Sequence, residues 1–347
     1  MNPARVVVVG AGYFAQFHLE GWRDAGAQVV GLCDLDIGRA QALASRFGVA
    51  RVCTELEDLL DATQPGLVDV VLPPAAQWGV VSATLRRQLP TISQKPFGRF
   101  WSEAVAMAAL SAQHQTPMVV HENFRFTPWF RECKRLIDAG HFGRVHGISF
   151  RLRPGDGQGP RAYLDRQPYF QQMPQLLVRE TAVHFIDTFR YLLGEVRAVT
   201  ARLRRLNPVI QGEDAGLIIF EFDDNRSGLF DGNRLNDHVA RNTRCTLGEM
   251  WLEGEAGVLR LDGDARLWFK PHGGAESEHP YDRGGTGAFG GACTALQSHV
   301  LAHLSTGTAL ENTAQDYLPN LAVQAAIYQS HTSGQRVVMA DFDPAHP

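Results

Sequence analysis

The 347 residues are 44% hydrophobic and 20% charged with a formal net charge of -4, which excludes fibrous and disordered classes and leaves length enough for two domains. The mild acidity and the lack of a long basic block argue against a nucleic-acid surface, and the longest apolar runs, such as Leu67 to Leu72, are too short to cross a bilayer. The start Met1-Asn2-Pro3-Ala4-Arg5 has no apolar secretion core, and Cys33, Cys53, Cys133, Cys245 and Cys293 lie far apart, so a cytoplasmic protein with reduced cysteines, no disulfide framework and no metal site is expected.

The first element is the most informative. Val6-Val7-Val8-Val9 runs into Gly10-Ala11-Gly12-Tyr13-Phe14-Ala15, the pattern of a buried strand turning sharply into a helix whose amino end faces a phosphate. Gly10 permits the tight turn, Gly12 lets the backbone approach a pyrophosphate, and Ala15 lets the helix pack closely on its strand. A second apolar run, Val29 to Cys33, ends in Asp34, about 20 residues further on, where ribose hydroxyls need an acceptor.

Helical spacing follows over Ile37 to Phe47 and Glu55 to Ala62, and Leu67 to Leu72 is another central strand, stopped by Pro73-Pro74. Helix Gln77 to Gln88, strand Thr91 to Ser93, helix Ser102 to Gln113 and strand Met118 to His121 continue an alternation that calls for a parallel sheet covered on both faces. The ligand then lies beyond the carboxyl ends of the strands, at Gly10, Asp34, Pro73, Gln94-Lys95-Pro96 and His121-Glu122-Asn123.

The pattern changes after Phe126. Helix Pro128 to Ala139, strand Val145 to Leu152, a loop rich in Gly and Pro from Pro154 to Pro160 and a helix from Pro174 to Leu193 precede a run of strands: Val196 to Leu206, Ala215 to Phe222, Ser227 to Asn233, Thr243 to Gly254, Val258 to Leu261 and Arg266 to Phe269. These predict an antiparallel sheet. Helices Ala288 to Leu304 and Ala314 to Ser333 follow, with Gly334 as a stop. The fold class is thus α/β plus α+β: a dinucleotide-binding domain over 1–125 and a substrate and oligomerisation domain over 126–347 on an open, mostly antiparallel sheet, its C-terminal helix able to pack back on the first domain.

Two stretches can carry chemistry. Glu180, His184 and Asp187 stand at i, i+4 and i+7, on one face of an α-helix, where a carboxylate can orient an imidazole acting as general base. Lys95, one of three lysines beside Lys134 and Lys270, closes a sheet strand and can stabilise a developing alkoxide. Taken singly, His184 fits a structural histidine and Lys95 an exposed loop charge equally well; a site for removing hydride from an alcohol gives both a use.

In their order along the chain, Gly10-x-Gly12-x-x-Ala15 with His18, Asp34, Pro73-Pro74, Lys95-Pro96 and His184-x-x-Asp187 resemble the motifs of the glucose-fructose oxidoreductase and inositol dehydrogenase family, Gfo/Idh/MocA. The resemblance implies a Rossmann domain followed by an open mixed sheet, a homodimer or homotetramer formed through that sheet, and Lys95 and His184 as the catalytic pair with Glu180 orienting the histidine. Where the family has Glu-Lys-Pro this chain has Gln94-Lys95-Pro96, and Glu180 stands where the family has Asp; Gln77, Leu72 and Ala182 also depart from its pattern.

The residues expected to line the cofactor are Gly10, Gly12, Tyr13, Phe14, Ala15, Asp34, Arg39, Pro73, Gln77, Gln94, Lys95 and Asn123; those expected at the substrate are Lys95, Asn123, Asp156, Arg166 and His184. Asp34 favours NAD over NADP, whose extra phosphate it would repel, although Arg39 stands nearby. The stretches His121 to Phe126, Arg151 to Pro160 and Asp231 to Leu235 are similar to those of D-apiose dehydrogenases within the family, which implies an NAD-dependent oxidation of a small sugar, D-apiose to its lactone. The alternatives are a dehydrogenase of another polyol such as an inositol, an NAD-dependent glycoside hydrolase, and a non-catalytic NAD-binding regulator.

Overall fold

Val6 to Val9 are at most 4% exposed, so the strand they form has to be covered on both faces. In the computed structural model, which describes residues 3–284 and 291–346, that strand is β1 (Arg5–Val9), and it is followed by α1 (Ala15–Asp24), β2 (Gln28–Cys33), α2 (Ile37–Phe47), β3 (Val52–Cys53), α3 (Leu56–Thr63), β4 (Leu67–Val70), α4 (Pro74–Arg86), β5 (Thr91–Gln94), α5 (Trp101–Gln113) and β6 (Met118–His121). The six strands form one sheet in the order β3-β2-β1-β4-β5-β6, every neighbouring pair parallel. The order reverses between β1 and β4, which opens a crevice at their carboxyl ends. Asp36 caps α2 by accepting the Arg39 N–H, and Gly48 closes it in the left-handed conformation.

One of two compact units consists of residues 1–123 together with 293–319, and the other of 124–292 together with 320–347. The second contains α6 (Pro128–Asp138), β7 (Val145–Leu152), a π-turn at Leu177–Ala182, α7 (Val183–Leu193), and the strands β8 (Ala198–Arg204), β9 (Ala215–Glu221), β10 (Ser227–Asn233), β11 (Gly248–Gly254), β12 (Gly257–Leu261), β13 (Leu267–Pro271), β14 (Ser277–His279) and β15 (Val337–Val338). Helix α8 (Ala292–Thr306) falls almost wholly in the first unit, while α9 (Ala314–Ser333) contributes its first residues to the first unit and the rest to the second.

The second sheet has nine strands in the order β14-β13-β12-β11-β7-β10-β9-β8-β15. Its inner face is a phenylalanine core against α7: Phe185 lies 4.1 Å from Phe150 and 5.1 Å from Phe230, and Phe189 lies 5.6 Å from Phe220, centroid to centroid. These contacts fix the helix that carries His184.

The sheet is mixed and mostly antiparallel, as expected: β10 returns beside β7 in the same direction, and every other neighbouring pair is antiparallel. Several other expectations are corrected. The strand expected from Thr243 begins at Gly248, after turns that end with Leu247 at φ 61°, and the helix expected from Pro174 begins only at the π-turn. The pairs made by β14 and β15 are too short to show a period in the sequence. Of the helix expected from Ala288, residues 288–290 lie outside the described residues, and α8 runs on to Thr306.

Gly10 and Gly12 differ in what they need. Gly10 has φ +108°, and a Cβ there would stand 2.3 Å from the Val71 carbonyl oxygen, whereas a Cβ on Gly12 would meet nothing within 4 Å. Gly10→Ala should therefore destabilise the free protein by about 1–3 kcal/mol, read as a lower urea midpoint. Gly12→Ala should leave that midpoint unchanged and weaken NAD binding in calorimetry, because its Cβ would occupy the space a pyrophosphate approaches.

Candidate active site

The glycine turn is drawn together by neighbouring strand ends. Gly10 N–H donates to the Cys33 carbonyl at 2.7 Å, and Val71 N–H donates to Val9 at 2.7 Å. Asp34 reaches back to this turn: its Oδ2 accepts the Ala11 N–H at 2.6 Å, and its Oδ1 accepts the Asp36 N–H at 2.8 Å. The half-buried Asp34 carboxylate and the open side of Gly12 therefore lie on one turn. Helix α1 has no acidic residue in its first turn, so its amino end is ready for an anion. Tyr13 is exposed there, Phe14 is half-buried and Ala15 is fully buried. Arg39 is exposed on α2 and lies 3.6 Å from Asp36. These residues fit a dinucleotide.

At the end of β5 the arrangement is less as expected. Gln77 is fully buried, its amide nitrogen donates to the carbonyls of Leu72, Gln94 and Pro96, and its oxygen accepts the Gly98 N–H. It ties the start of α4 to the loop that carries Lys95. Gln94, 8% exposed, contacts the Lys95 N–H and His18 rather than open space. Asn123 is buried with its amide 3.4 Å from the Cys293 sulfur. Pro73 is the residue before α4. Sequence reading missed Asp69, fully buried within β4, although a lone carboxylate in Leu67-Val68-Asp69-Val70 already signals a buried partner.

In the second unit, Glu180 lies in the π-turn, so its relation to His184 is not the α-helical i, i+4 one. The turn is set by Glu213, whose backbone carbonyl accepts the Leu177 N–H and whose carboxylate accepts the Val178 N–H, satisfying donors a helix start leaves open. The His184 ring is buried and stacked on Phe124, 3.9 Å centroid to centroid and 6° from parallel. Asp187 does not join His184 and Glu180 in one acid-base face. It is fully buried, and both its oxygens accept from Arg125, at 2.8 and 2.6 Å, with Asn320 adding a bond at 2.9 Å.

Asp156 and Arg166, expected at the substrate, do meet, in a cluster centred on a residue that had been given no role. Arg234 donates to both oxygens of Asp156 at 3.1 and 2.7 Å and to the Thr181 hydroxyl at 2.6 Å, while Arg166 donates to Asp156 at 3.1 Å. Thr181 follows Glu180 in the π-turn, so this cluster is attached to the segment leading into His184. Burial works against both charges, but Arg234 and then Arg166 hold the Asp156 carboxyl below its ordinary range, and Asp156, ahead of Tyr163 and Glu180, raises Arg234. The sequence signal was its place just past the end of β10.

Among the described residues no group of three or more His, Cys, Asp or Glu could hold a metal ion, and no helix is long and apolar enough to cross a membrane. The five cysteines are free, and burial pushes the Cys33 thiol up to about 11 and the Cys293 thiol up to about 12.

A parallel sheet with a glycine turn at its reversal point and an acid at the neighbouring strand end defines a dinucleotide-binding protein of the nicotinamide type. Residues 4–122 match the oxidoreductase family model with an NAD-binding Rossmann fold, Gfo/Idh/MocA, and residues 130–260 match the Gfo/Idh/MocA C-terminal domain. The chain belongs to the Gfo/Idh/MocA family of NAD-dependent oxidoreductases. It is 28% identical to a D-apiose dehydrogenase of Paraburkholderia graminis, over 98% of this chain and 91% of that one, and 26% identical to a D-apiose dehydrogenase of Rhizobium rhizogenes, over 97% and 98%. A crystal structure of an oxidoreductase from Agrobacterium radiobacter in complex with NAD+, L-tartaric acid and magnesium superposes with a TM-score of 0.88 at 25% identity, covering 98% of this chain and 99% of that one.

The Asp156 carboxyl lies below its ordinary value of 3.8 in the folded state, so its pairing stabilises fully above that value and is lost as pH falls through the lowered one. Asp156→Asn leaves Arg234 buried without its charge partner and should cost about 3–5 kcal/mol near pH 7. Urea titrations should show the gap between wild type and variant closing only as pH falls below the ordinary carboxylate range.

Proposed function

We propose that this chain is an NAD-dependent sugar dehydrogenase, with D-apiose, oxidised to its lactone, as the first substrate to try. The observation that carries this reading is the near-full-length likeness to two D-apiose dehydrogenases. The geometry of the second unit supports it. The loop after β7 and the segment after β10 are joined by Gly157 N–H to the Arg234 carbonyl, by Gln158 to the Leu235 carbonyl and by the Asp156 to Arg234 pair. This gathers polar groups of the kind a polyol needs for its hydroxyls.

The bound nicotinamide would accept the hydride from the carbon being oxidised. The chain's own residues handle the proton and the oxygen. His184 takes the hydroxyl proton; its ring plane is fixed by Phe124, which removes a rotational freedom that a proton acceptor would otherwise lose in the reaction. Lys95 stabilises the developing alkoxide, and Glu180, in the π-turn that leads into α7, orients the imidazole. The C–H bond loses a hydride, the O–H bond loses a proton, and a carbonyl results.

The outer face of the nine-stranded sheet supports self-association. A row across five strands runs Trp251, Ser149, Leu229, Ile219 and Thr200, in which Leu229 is 39% and Ile219 47% exposed. The adjoining row alternates Glu249, Arg151, Asp231, Leu217 and Arg202. An apolar stripe beside a row carrying charges of both signs can match itself under a two-fold axis, so the chain forms a homodimer or homotetramer through this face.

Protein mixed with NAD and a sugar panel should produce NADH on D-apiose; tight NAD binding with no turnover on any sugar would remove the enzyme reading. His184→Ala should lower kcat by about 10² to 10⁴ with NAD affinity unchanged. Lys95→Arg should also fail, since the guanidinium keeps the charge but not the geometry of the amine. For assembly, light scattering should give a multiple of the chain mass for the wild type and a single chain for Ile219→Glu. A monomeric wild type would refute the interface.

A further inference from the structure

Three hydrogen bonds at the end of β5 can be given directions from chemistry alone. A backbone N–H only donates, so the Gln94 atom 2.8 Å from the Lys95 nitrogen is its carbonyl oxygen, and its amide nitrogen faces His18. That amide nitrogen also only donates. His18 Nε2, 2.8 Å away, therefore accepts and carries no proton. An imidazole keeps at least one N–H, which must then sit on Nδ1 and donate to Asp69 Oδ2 at 2.8 Å. The Trp22 indole donates to the same oxygen at 2.7 Å, so the carboxylate accepts twice. His18, Trp22 and Asp69 are fully buried, and water does not compete for these bonds.

We infer that Gln94, His18 and Asp69 form a one-way relay that starts at the Lys95 backbone N–H, holds His18 as its neutral, Nδ1-protonated tautomer, and positions Lys95. Every bond points the same way and ends on a buried carboxylate, so each polarises the next. Gln94 sets the direction, because only an amide can accept from Lys95 with one atom and donate to His18 with the other. An ionised carboxylate at this position would accept at both atoms and favour a second proton on the imidazole between it and Asp69. Two other titratable groups adjoin the relay. The His121 ring lies 4.0 Å from that of His18, centroid to centroid. Cys293, which burial and, to a lesser extent, Asp69 hold protonated, is the other. The Phe14 ring lies 5.6 Å from that of His18, centroid to centroid, at 72°. The role given to Lys95 in catalysis rests on the proposed function; the proton positions do not.

The test is a long-range proton-nitrogen spectrum of protein labelled with ¹⁵N-histidine, recorded at neutral pH without sugar, with His18 identified by its loss in His18→Gln. The wild type should show a protonated Nδ1 and an unprotonated Nε2. An Nε2-protonated or doubly protonated ring would overturn the relay. Gln94→Glu should convert His18 to the doubly protonated pattern and lower kcat by about tenfold. A ring that stays neutral in that variant overturns the part given to Gln94, and an unchanged kcat overturns the positioning of Lys95. A wild type that shows the relay and oxidises no sugar supports the relay while removing the catalytic reading.

Discussion

The first unit depends on a turn with room for one hydrogen atom. Gly10 is held by the Cys33 carbonyl on one side and lies against the Val71 carbonyl on the other, at a backbone angle that other residues resist. With that turn fixed, Ala11 N–H meets Asp34 and α1 starts where its amino end faces outward. The acid that closes β2 is thus also a brace of the glycine turn.

The second unit obtains the same precision by different means. Its key helix begins in a π-turn, because Glu213 and Arg234 take up the backbone and side-chain groups of Leu177, Val178 and Thr181. Phenylalanines from the sheet then fix α7 from below. His184 stands in the first turn of α7, directly after a π-turn held through buried charge. Buried ion pairs contribute little net stability compared with apolar packing, but they penalise any alternative placement strongly.

Charge is also handled differently in the two units. Around Asp156 two guanidiniums share one carboxylate, and around Asp187 one guanidinium is supported by an amide. Beneath Lys95 the buried Asp69 is met by neutral donors, an indole and an imidazole. The last arrangement leaves Asp69 without a cationic partner near the strand end that carries Lys95.

Much of the fold was legible because it rests on local signals. The valine run, the Gly-x-Gly turn, the acid closing β2 and the alternation of strands and helices are read from neighbouring residues, and the motif order pointed to the family that residues 4–122 and 130–260 match. What the sequence did not disclose is long-range. The parallel pairing of β7 and β10 joins residues eighty apart, the π-turn is imposed by Glu213 from another segment, and Arg234 acquires its role only by meeting Asp156 and Thr181. Gln77 and Gln94 looked like cofactor contacts because of their positions, and folding turned their amides inward. The sequence by itself determined which elements form and that a dinucleotide turn opens the chain, since periodicity and glycine conformation act over a few residues. Only the tertiary structure decided which polar groups pair and in which direction their protons point, because burial forces each donor to find an acceptor wherever the chain has brought one.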